Sequence, residues 1–319
     1  MSASTLGVLV NPAAGRGRAR HLGPRVIQVL RAAGHEVTDL TAPDPATARA
    51  LAREFVAQPG PRVLVAVGGD GVANLALNAI LVHGPHTALA LVAAGTGNDA
   101  ARGLGQPVRG QEVLDRLVAA LARDPRRLDA VLVSPGLTGT SRGRYLLSAA
   151  VAGFDAAVAG RTNRIAWPRG TARYVLGVLA ELVGFRGYAV RVEVVDGAGQ
   201  SIDLGLCGTL ATVANTAWIG GGMRIAPGAD PTDGVLEVVT AVTVPRRTLL
   251  RVFPRVFAGT HVEHPVVTVT RGREVVLRED AAARAAGLAP APHLHGDGEP
   301  FGTLPMRLRV VPGAVAVHT

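Results

Sequence analysis

Arg62-Val63-Leu64-Val65-Ala66-Val67-Gly68-Gly69-Asp70-Gly71, followed by Ala88-Leu89-Ala90-Leu91-Val92-Ala93 and Gly95-Thr96-Gly97-Asn98-Asp99, decides how this chain folds. Each segment is a short apolar run that ends in a glycine-rich polar turn. Runs of this kind fit strands buried on both faces. A helical pattern from Val72 to Leu81 lies between the two turns, so each turn is predicted to lead from a strand into a helix. Outward from there, Leu6–Val10 reads as a strand that ends in Asn11-Pro12-Ala13-Ala14-Gly15-Arg16-Gly17. Leu22, Val26, Leu30 and Ala33 then recur at helical spacing. Val37–Leu40 reads as a strand, Ala46–Val56 and Val113–Leu121 as helices, and Leu128–Val133 as a further strand. Strands alternating with helices call for a parallel sheet with helices on both faces.

After Pro135 the strand-like runs crowd together: Tyr145–Val151, Ala189–Val195, Gly208–Ala214, Val235–Val242, Val262–Thr270, Glu274–Leu277 and Leu308–Val311. Asp196-Gly197 and Arg271-Gly272 read as hairpin turns. Helical stretches at Ala172–Phe185 and Arg246–Val256 interrupt the strands, and Pro254 is expected to kink or end the second. The Ala/Pro-rich stretch Ala281–Pro292 reads as an exposed loop. The expected fold is an α/β domain over residues 1–135 and a mainly antiparallel β-sandwich domain over 136–305.

The bulk numbers narrow the function. A chain of 319 residues, 48% hydrophobic and 18% charged, is long enough for two buried cores. Its net charge of +9 favours an anionic partner. Aromatic content of 3% leaves few stacking platforms for bases, and no nucleic-acid module is visible. The expected partner is therefore an anionic membrane surface and not nucleic acid; a homodimer is allowed. Cys207 stands alone, which excludes an intrachain disulfide and a cysteine metal cluster. The apolar stretches at 145–160 and 175–185 are interrupted by Asp155 and Glu181, short of the ~18–20 residues of a spanning helix. With no basic leader before Asn11, the expected location is cytoplasmic and peripheral to a membrane. All 33 Lys+Arg positions are arginine. The absence of lysine excludes a Walker-type phosphate loop and a protein-kinase site, each of which needs one.

The polar turns carry the chemistry. Asp70 inside a phosphate-binding turn would repel phosphate unless Mg²⁺ lay between them; a tight turn with a solvated carboxylate is the plainer alternative. Gly68, Gly69, Gly71 and Gly95 let backbone N–H groups approach a ligand closely. Thr96 offers a hydroxyl and an N–H to phosphate. Asn98 offers an amide that reads a nucleobase or fixes the turn, and Asp99 is expected to cap the following helix. Asn11, Gly15 and Gly17 form a third loop at a strand's carboxyl end, where open α/β sheets bind ligands. Three such loops on one sheet edge favour a nucleotide polyphosphate held on main-chain amides. Near the other end, Asp297-Gly298-Glu299-Pro300 sets two carboxylates around a glycine, close to His293 and His295. It reads as an acidic hairpin turn or as the base that an acceptor alcohol needs; the two histidines read as structural or surface.

These segments resemble the catalytic domain of bacterial diacylglycerol kinase-like lipid kinases. The likeness runs in order through Asn11-Pro12…Gly15-Arg16-Gly17, Gly68-Gly69-Asp70-Gly71…Asn74 and Gly95-Thr96-Gly97-Asn98-Asp99. It continues through Ala152-Gly153-Phe154-Asp155-Ala156, Gly220-Gly221-Gly222, Pro227-Gly228-Ala229-Asp230 with Asp233-Gly234, and Asp297-Gly298-Glu299-Pro300. Phosphofructokinases and NAD kinases share the first glycine-aspartate turn but not the later set. The resemblance implies an NAD kinase/phosphofructokinase-like α/β domain, a β-sandwich domain, ATP and Mg²⁺ in a cleft between them, and a C-terminal stretch, 306–319, that returns to the first domain. It implies diacylglycerol as the acceptor and phosphatidic acid as the product. Asp70 would act through Mg²⁺ and water, Thr96 would contact phosphate, and Glu299 would be the general base. Asp233, with backbone groups of Asp230 and Val235, matches a structural Mg²⁺ site. Val72 and Leu75 depart from the family's Thr and Glu, Ala93 from its Pro and Ser148 from its Asn. These departures leave room for a sphingoid-base or other long-chain alcohol kinase, or for a nucleotide-binding regulator of low activity. Arginines Arg247, Arg251 and Arg255 on one helix, and Arg161, Arg164, Arg169 and Arg173 elsewhere, are the expected membrane contacts.

Overall fold

The computed structural model describes residues 5–108, 110, 112–137, 143–162 and 171–319. The chain divides into two compact units, one of residues 1–130 with 312–319 and one of residues 131–311.

Unit 1 opens with β1 (Thr5–Val10), α1 (Ala14–Ala32), β2 (Glu36–Asp39) and α2 (Pro45–Val56). It continues through β3 (Arg62–Gly68), α3 (Asp70–His83) and β4 (Thr87–Ala93), then α4 (Asp99–Gly103), α5 (Glu112–Leu121) and the first half of β5 (Arg126–Pro135). Strands pair in parallel in the order β2-β1-β3-β4, as alternating strand and helix require. The strands β1, β3 and β4 are buried almost along their whole length, because helices cover them. Leu6, Val8, Val65, Val67, Ala90 and Val92 share one core with Val26 and Leu30 of α1 and Leu114 and Leu117 of α5. Helix α2 starts where the Asp44 carboxylate accepts the Ala46 and Thr47 amides, at 2.8 and 3.0 Å.

Unit 2 contains β6 (Arg144–Leu146), β7 (Ala149–Val151), α6 (Phe154–Thr162), α7 (Thr171–Gly184), β8 (Val190–Val195) and β9 (Ser201–Leu206). Then come β10 (Leu210–Ala214), β11 (Trp218–Ile219), β12 (Met223–Arg224), β13 (Leu236–Ala241), α8 (Arg246–Val252) and α9 (Arg255–Ala258). The last elements are β14 (Val267–Gly272), β15 (Glu274–Glu279), α10 (Ala281–Ala285), β16 (Leu294–Gly296), β17 (Glu299–Gly302) and β18 (Met306–His318). One antiparallel sheet runs β14-β13-β10-β7-β16-β17; the other pairs β18 with β15, β15 with β8, and β8 with β9. Inward residues of both sheets meet in one core, with Val192, Val194, Val275 and Leu308 from one side and Ala211, Val213, Val238 and Leu294 from the other. This is an antiparallel β-sandwich. Strand β18 begins in unit 2 beside β15 and ends in unit 1, where Val317 and His318 lie parallel to Leu89 and Ala90 of β4. The buried Asp129 carboxylate fixes that return by accepting the Gly313 amide at 2.7 Å.

Four sequence expectations are corrected. Arg271-Gly272 is not a hairpin turn: β14 pairs with β13, whereas β15 pairs with β8 and β18, so the chain crosses between sheets there. The crossing passes so close to β8 that a Cβ on Gly272 would lie 2.3 Å from a Val194 methyl group. The run Tyr145–Val151 is split into β6 and β7, because the Leu147 and Ser148 amides turn to the Asp297 carboxylate at 2.7 and 3.0 Å. Residues 260–263 form a 3₁₀ turn before β14 starts at Val267; the turn buries His261, whose Nε2 lies 3.0 Å from the Ile225 carbonyl oxygen. Ala281–Ala285 is a helix rather than loop, started by the Asp280 carboxylate accepting the Ala283 amide at 2.9 Å. Helix Arg246–Val256 is broken at Pro254 into α8 and α9. Among the described residues no helix is long and apolar enough to cross a membrane.

Candidate functional site

In unit 1 the three polar loops follow β1, β3 and β4, at the carboxyl ends of adjacent parallel strands. Their backbones touch. A Cβ on Gly95 would fall 2.3 Å from the Gly69 Cα, so these two turns approach as only glycines can. Gly15, at φ 58°, lies against the other side of the second turn, where a Cβ would sit 1.8 Å from the Ala94 carbonyl oxygen. Gly95 donates to the Gly68 carbonyl at 2.9 Å, and Asn11 donates to the Val67 carbonyl at 3.3 Å. The result is a continuous glycine-lined backbone surface made from segments 11–17, 68–71 and 94–98. The Asn11 side chain accepts the Ala13 amide at 3.0 Å and so shapes its own loop.

Of the two roles open to Asn98, the structure shows it fixing the turn. It is buried in left-handed backbone, accepts from the Gly95 amide at 2.8 Å and donates to the Gly95 carbonyl at 3.0 Å. Asp99 is the first residue of α4 and Asn98 stands at the cap position, which makes no side-chain cap bond. The α4 amide of Ala100 is taken by Asp70, whose Oδ1 accepts it at 3.0 Å. Asp70 thus links the first turn to the helix after the second, and places a carboxylate at the rim of the glycine surface. Thr96 is exposed at the tip of the second turn. Gly68 and Gly71 flank Gly69 and Asp70 at the start of α3, and a Cβ on Gly68 would press on Val72. Val72 is buried and Leu75 half-buried, so both departures from the family's polar residues lie on the packed side of α3. One carboxylate beside a backbone surface from which Cβ atoms are excluded suits a phosphate chain carrying a divalent cation.

Two arginines at this surface were missed in the sequence. The Arg18 guanidinium donates to the Gly95 carbonyl, and Arg102 donates to the Gly97 carbonyl at 3.5 Å. Both place positive charge on the second turn, where other nucleotide sites use lysine. Neither has a local signal, since the chain holds arginine at many surface positions.

In unit 2, Glu299 opens β17 and is exposed. The two residues between β16 and β17 are Asp297 at φ 48° and Gly298 at φ 80°, the signature of a tight Asp-Gly hairpin with both central residues left-handed. Asp297 is buried and holds the hairpin to residues 147–148, as given above. Arg144 also bonds the Pro300 carbonyl and stacks over the Phe301 ring at 4.2 Å. Glu299 therefore stands on a pinned, pre-shaped turn. His295 Nδ1 lies 2.9 Å from the His293 carbonyl oxygen, which leaves this pair a local structural role.

The segment expected to hold a structural cation has another occupant. Asp233 Oδ1 accepts the Val235 amide at 2.9 Å, and its Oδ2 pairs with Arg271 from β14. Asp230 uses its carboxylate on Thr232, at 3.0 Å to the amide and 2.7 Å to the hydroxyl. With a guanidinium on the carboxylate, Asp233 does not fit a metal ligand. Among the described residues no group of three or more His, Cys, Asp or Glu side chains could hold a metal ion. Asp155 is also committed: it is buried, and accepts from Thr212 Oγ1 at 2.6 Å, the Ala156 amide at 2.9 Å and the Gly153 amide at 3.0 Å. Burial outweighs these bonds and pushes its carboxyl up to about 6.

Known proteins share this architecture. Residues 5–133 match the family model of the diacylglycerol kinase catalytic domain, and residues 148–319 that of the YegS C-terminal NAD kinase beta sandwich-like domain. A diacylglycerol kinase of Mycobacterium tuberculosis is 33% identical over 310 residues, covering 97% of this chain and 93% of its own. A protein of Pseudomonas aeruginosa named "Probable lipid kinase YegS-like" is 28% identical, over 92% of this chain and 87% of its own. A crystal structure of a diacylglycerol kinase from Bacillus anthracis str. Sterne superposes with a TM-score of 0.67 at 15% identity, covering 99% of this chain and 96% of that one. That last likeness is one of fold.

Proposed function

This chain belongs to the diacylglycerol kinase family and is a lipid kinase; from that premise we propose that it transfers the γ-phosphate of ATP, with Mg²⁺, to the hydroxyl of diacylglycerol, giving phosphatidic acid. The observation that carries the nucleotide half is the meeting of three glycine loops at the ends of β1, β3 and β4, with Gly15 and Gly69 in backbone contact with the second turn. The acceptor half rests on the 33% identity to a protein named diacylglycerol kinase. In this reading the amides of Gly69, Gly71 and Thr96 bind phosphate oxygens, Gly95, whose own amide is taken by Gly68 and Asn98, shapes the turn, and Arg18 and Arg102 add charge beside them. Mg²⁺, when bound, supplies neutralisation of the phosphate charge. Asp70, at the loop rim, is the residue that would hold it.

Glu299 takes the proton of the acceptor hydroxyl as its oxygen bonds to the γ-phosphorus. The bond from that phosphorus to the bridging oxygen breaks, and ADP leaves. A base so placed contributes on the order of 10²–10⁴-fold. Its rigid hairpin is what the task demands, because the proton must be met within hydrogen-bond reach.

The enzyme works at an anionic membrane surface, where its +9 charge is favourable. The deciding test is transfer of label from [γ-³²P]ATP to a panel of diacylglycerol, sphingoid base, monoacylglycerol and NAD. Label in phosphatidic acid, dependent on Mg²⁺, is expected. Label in another acceptor would reassign the substrate, and tight ATP binding with no transfer would make the chain a nucleotide-binding regulator.

A further inference from the structure

Over its described side chains, 176–184, helix α7 is apolar on two faces, and one of them is packed. Val178 and Leu182, with Phe185 just beyond the helix, are buried in the sandwich core. Leu176, Leu179 and Val183 recur at i, i+3 and i+7 on the other side and are exposed to 42, 47 and 75%. Ala180, also exposed, falls on the same stripe. Glu181, the one charged residue between Leu176 and Gly184, is turned to Arg161 at 2.8 Å and to the Tyr188 hydroxyl. The stripe therefore carries no outward acid. At its C-terminal end Arg186 is exposed, and Arg246 Nε donates to the Phe185 carbonyl at 3.1 Å. That bond brings the start of α8 alongside, with exposed Arg247 and with Leu250 exposed to 50%. Arg186, Arg246 and Arg247, all exposed, thus set a basic rim at the C-terminal end of an apolar strip.

We propose that this face of α7, with the start of α8, is the surface that docks on an anionic bilayer, its leucines and valine entering the headgroup–acyl boundary and its arginines meeting lipid phosphates. The inference rests on the lipid-kinase reading for its motive, and charge selects the occupant. A second copy packed face to face would set arginine rim against arginine rim, whereas an anionic lipid surface matches both the strip and its border. The sequence expectation places the contact on Arg247, Arg251 and Arg255 and on Arg161, Arg164, Arg169 and Arg173, of which Arg164 and Arg169 lie outside the described residues; the stripe adds insertion, which salt does not screen.

The test is flotation of the full chain with vesicles of phosphatidylcholine alone and with 30 mol% phosphatidylglycerol, read without any kinase assay. Binding to the anionic vesicles is expected, partly retained in high salt. Leu179→Glu with Val183→Glu should weaken it on the order of tenfold or more. Ile202→Glu, at an exposed apolar position of β9, should leave it unchanged. The Leu179/Val183 variant should keep wild-type turnover on a short-chain, water-dispersed diacylglycerol, so failure of the docking face and failure of the substrate assignment are told apart. Wild-type vesicle binding by the double variant overturns the proposal. So does a wild-type dimer in solution that the double variant dissociates, because the face then belongs to a second copy.

Discussion

Alanine at Gly15 and at Gly17 separates the contact between loops from the conformation of one loop. Both glycines lie in left-handed backbone, at φ 58° and 86°, so alanine at either incurs a penalty of about 1–2 kcal/mol. At Gly17 a Cβ meets nothing within 4 Å, and the penalty ends there. At Gly15 the Cβ falls 1.8 Å from the Ala94 carbonyl oxygen and 2.8 Å from Arg18 Nε. Carbon and carbonyl oxygen settle at about 3.3 Å or more, so the 11–17 loop and the second turn must part by roughly 1.5 Å. Overpacking costs about 1–3 kcal/mol, and backbone against backbone belongs at the upper end. Gly15→Ala should thus cost about 3–5 kcal/mol against about 1–2 for Gly17→Ala. Displacement of about 1 Å at a phosphate site is also worth on the order of 10²-fold in rate. Calorimetric unfolding should show the larger loss for Gly15→Ala, and turnover should fall ~100-fold there but only a few-fold for Gly17→Ala. Equal losses in the two variants would refute the claim that these loops form one surface.

Asp70→Asn keeps an acceptor for the Ala100 amide but loses its charge; turnover should fall ~10²-fold or more with the thermal midpoint nearly kept, and wild-type rates would remove Asp70 from the reaction. Glu299→Gln, at an exposed position, should cut turnover ~10²–10⁴-fold with no change in urea midpoint. Because Arg271 holds Asp233, chelating divalent cations should leave the wild-type thermal midpoint in place. Arg271→Ala should lower stability by no more than about 1 kcal/mol for so exposed a pair, and Mg²⁺ should then restore it; a wild-type midpoint that falls in EDTA would restore the metal. Asp155 has a folded value near 6 against 3.8 unfolded, so its contribution is greatest at low pH and is lost as pH rises through 6. Asp155→Asn should remove that component, up to about 3 kcal/mol between pH 3.5 and 7 in urea titrations, and an unchanged pH profile would contradict it.

What was legible in the sequence was local. The strands β1, β3 and β4 declare themselves as unbroken apolar runs, and each is followed by glycines, whereas the contacts that demand glycine at 15, 69 and 95 come from the other loops. Asn98 could be narrowed to two roles but not decided, because its partner Gly95 lies close by whether the amide points in or out. The pinning contacts were hidden by distance: Asp297 meets amides about 150 residues earlier, Asp233 meets an arginine 38 residues later, and Arg18 meets a carbonyl 77 residues on. A carboxylate such as Asp233 has many possible partners in a chain with 33 arginines, and a side chain that bonds backbone has more still. Arg271-Gly272 misled for a related reason, since a turn dipeptide reports a reversal but not which sheet receives the next strand.

Helix α7 marks a different limit, one of symmetry. Val178, Leu182 and Phe185 make one apolar stripe and Leu176, Leu179 and Val183 make another, so periodicity identifies a helix and cannot say which stripe is buried. Only packing breaks that degeneracy: the first stripe fills the sandwich core beside Phe154 and Tyr188, and the second is left facing outward. A soluble helix under no other demand loses nothing by carrying polar residues on its outer face. An outer face of leucine and valine, bordered by arginine and with its one acid drawn inward, is instead the arrangement that a lipid surface rewards. In the docking proposed above, the arginines supply only the part of the attraction that salt screens, and the apolar stripe of α7 would supply the part that it does not.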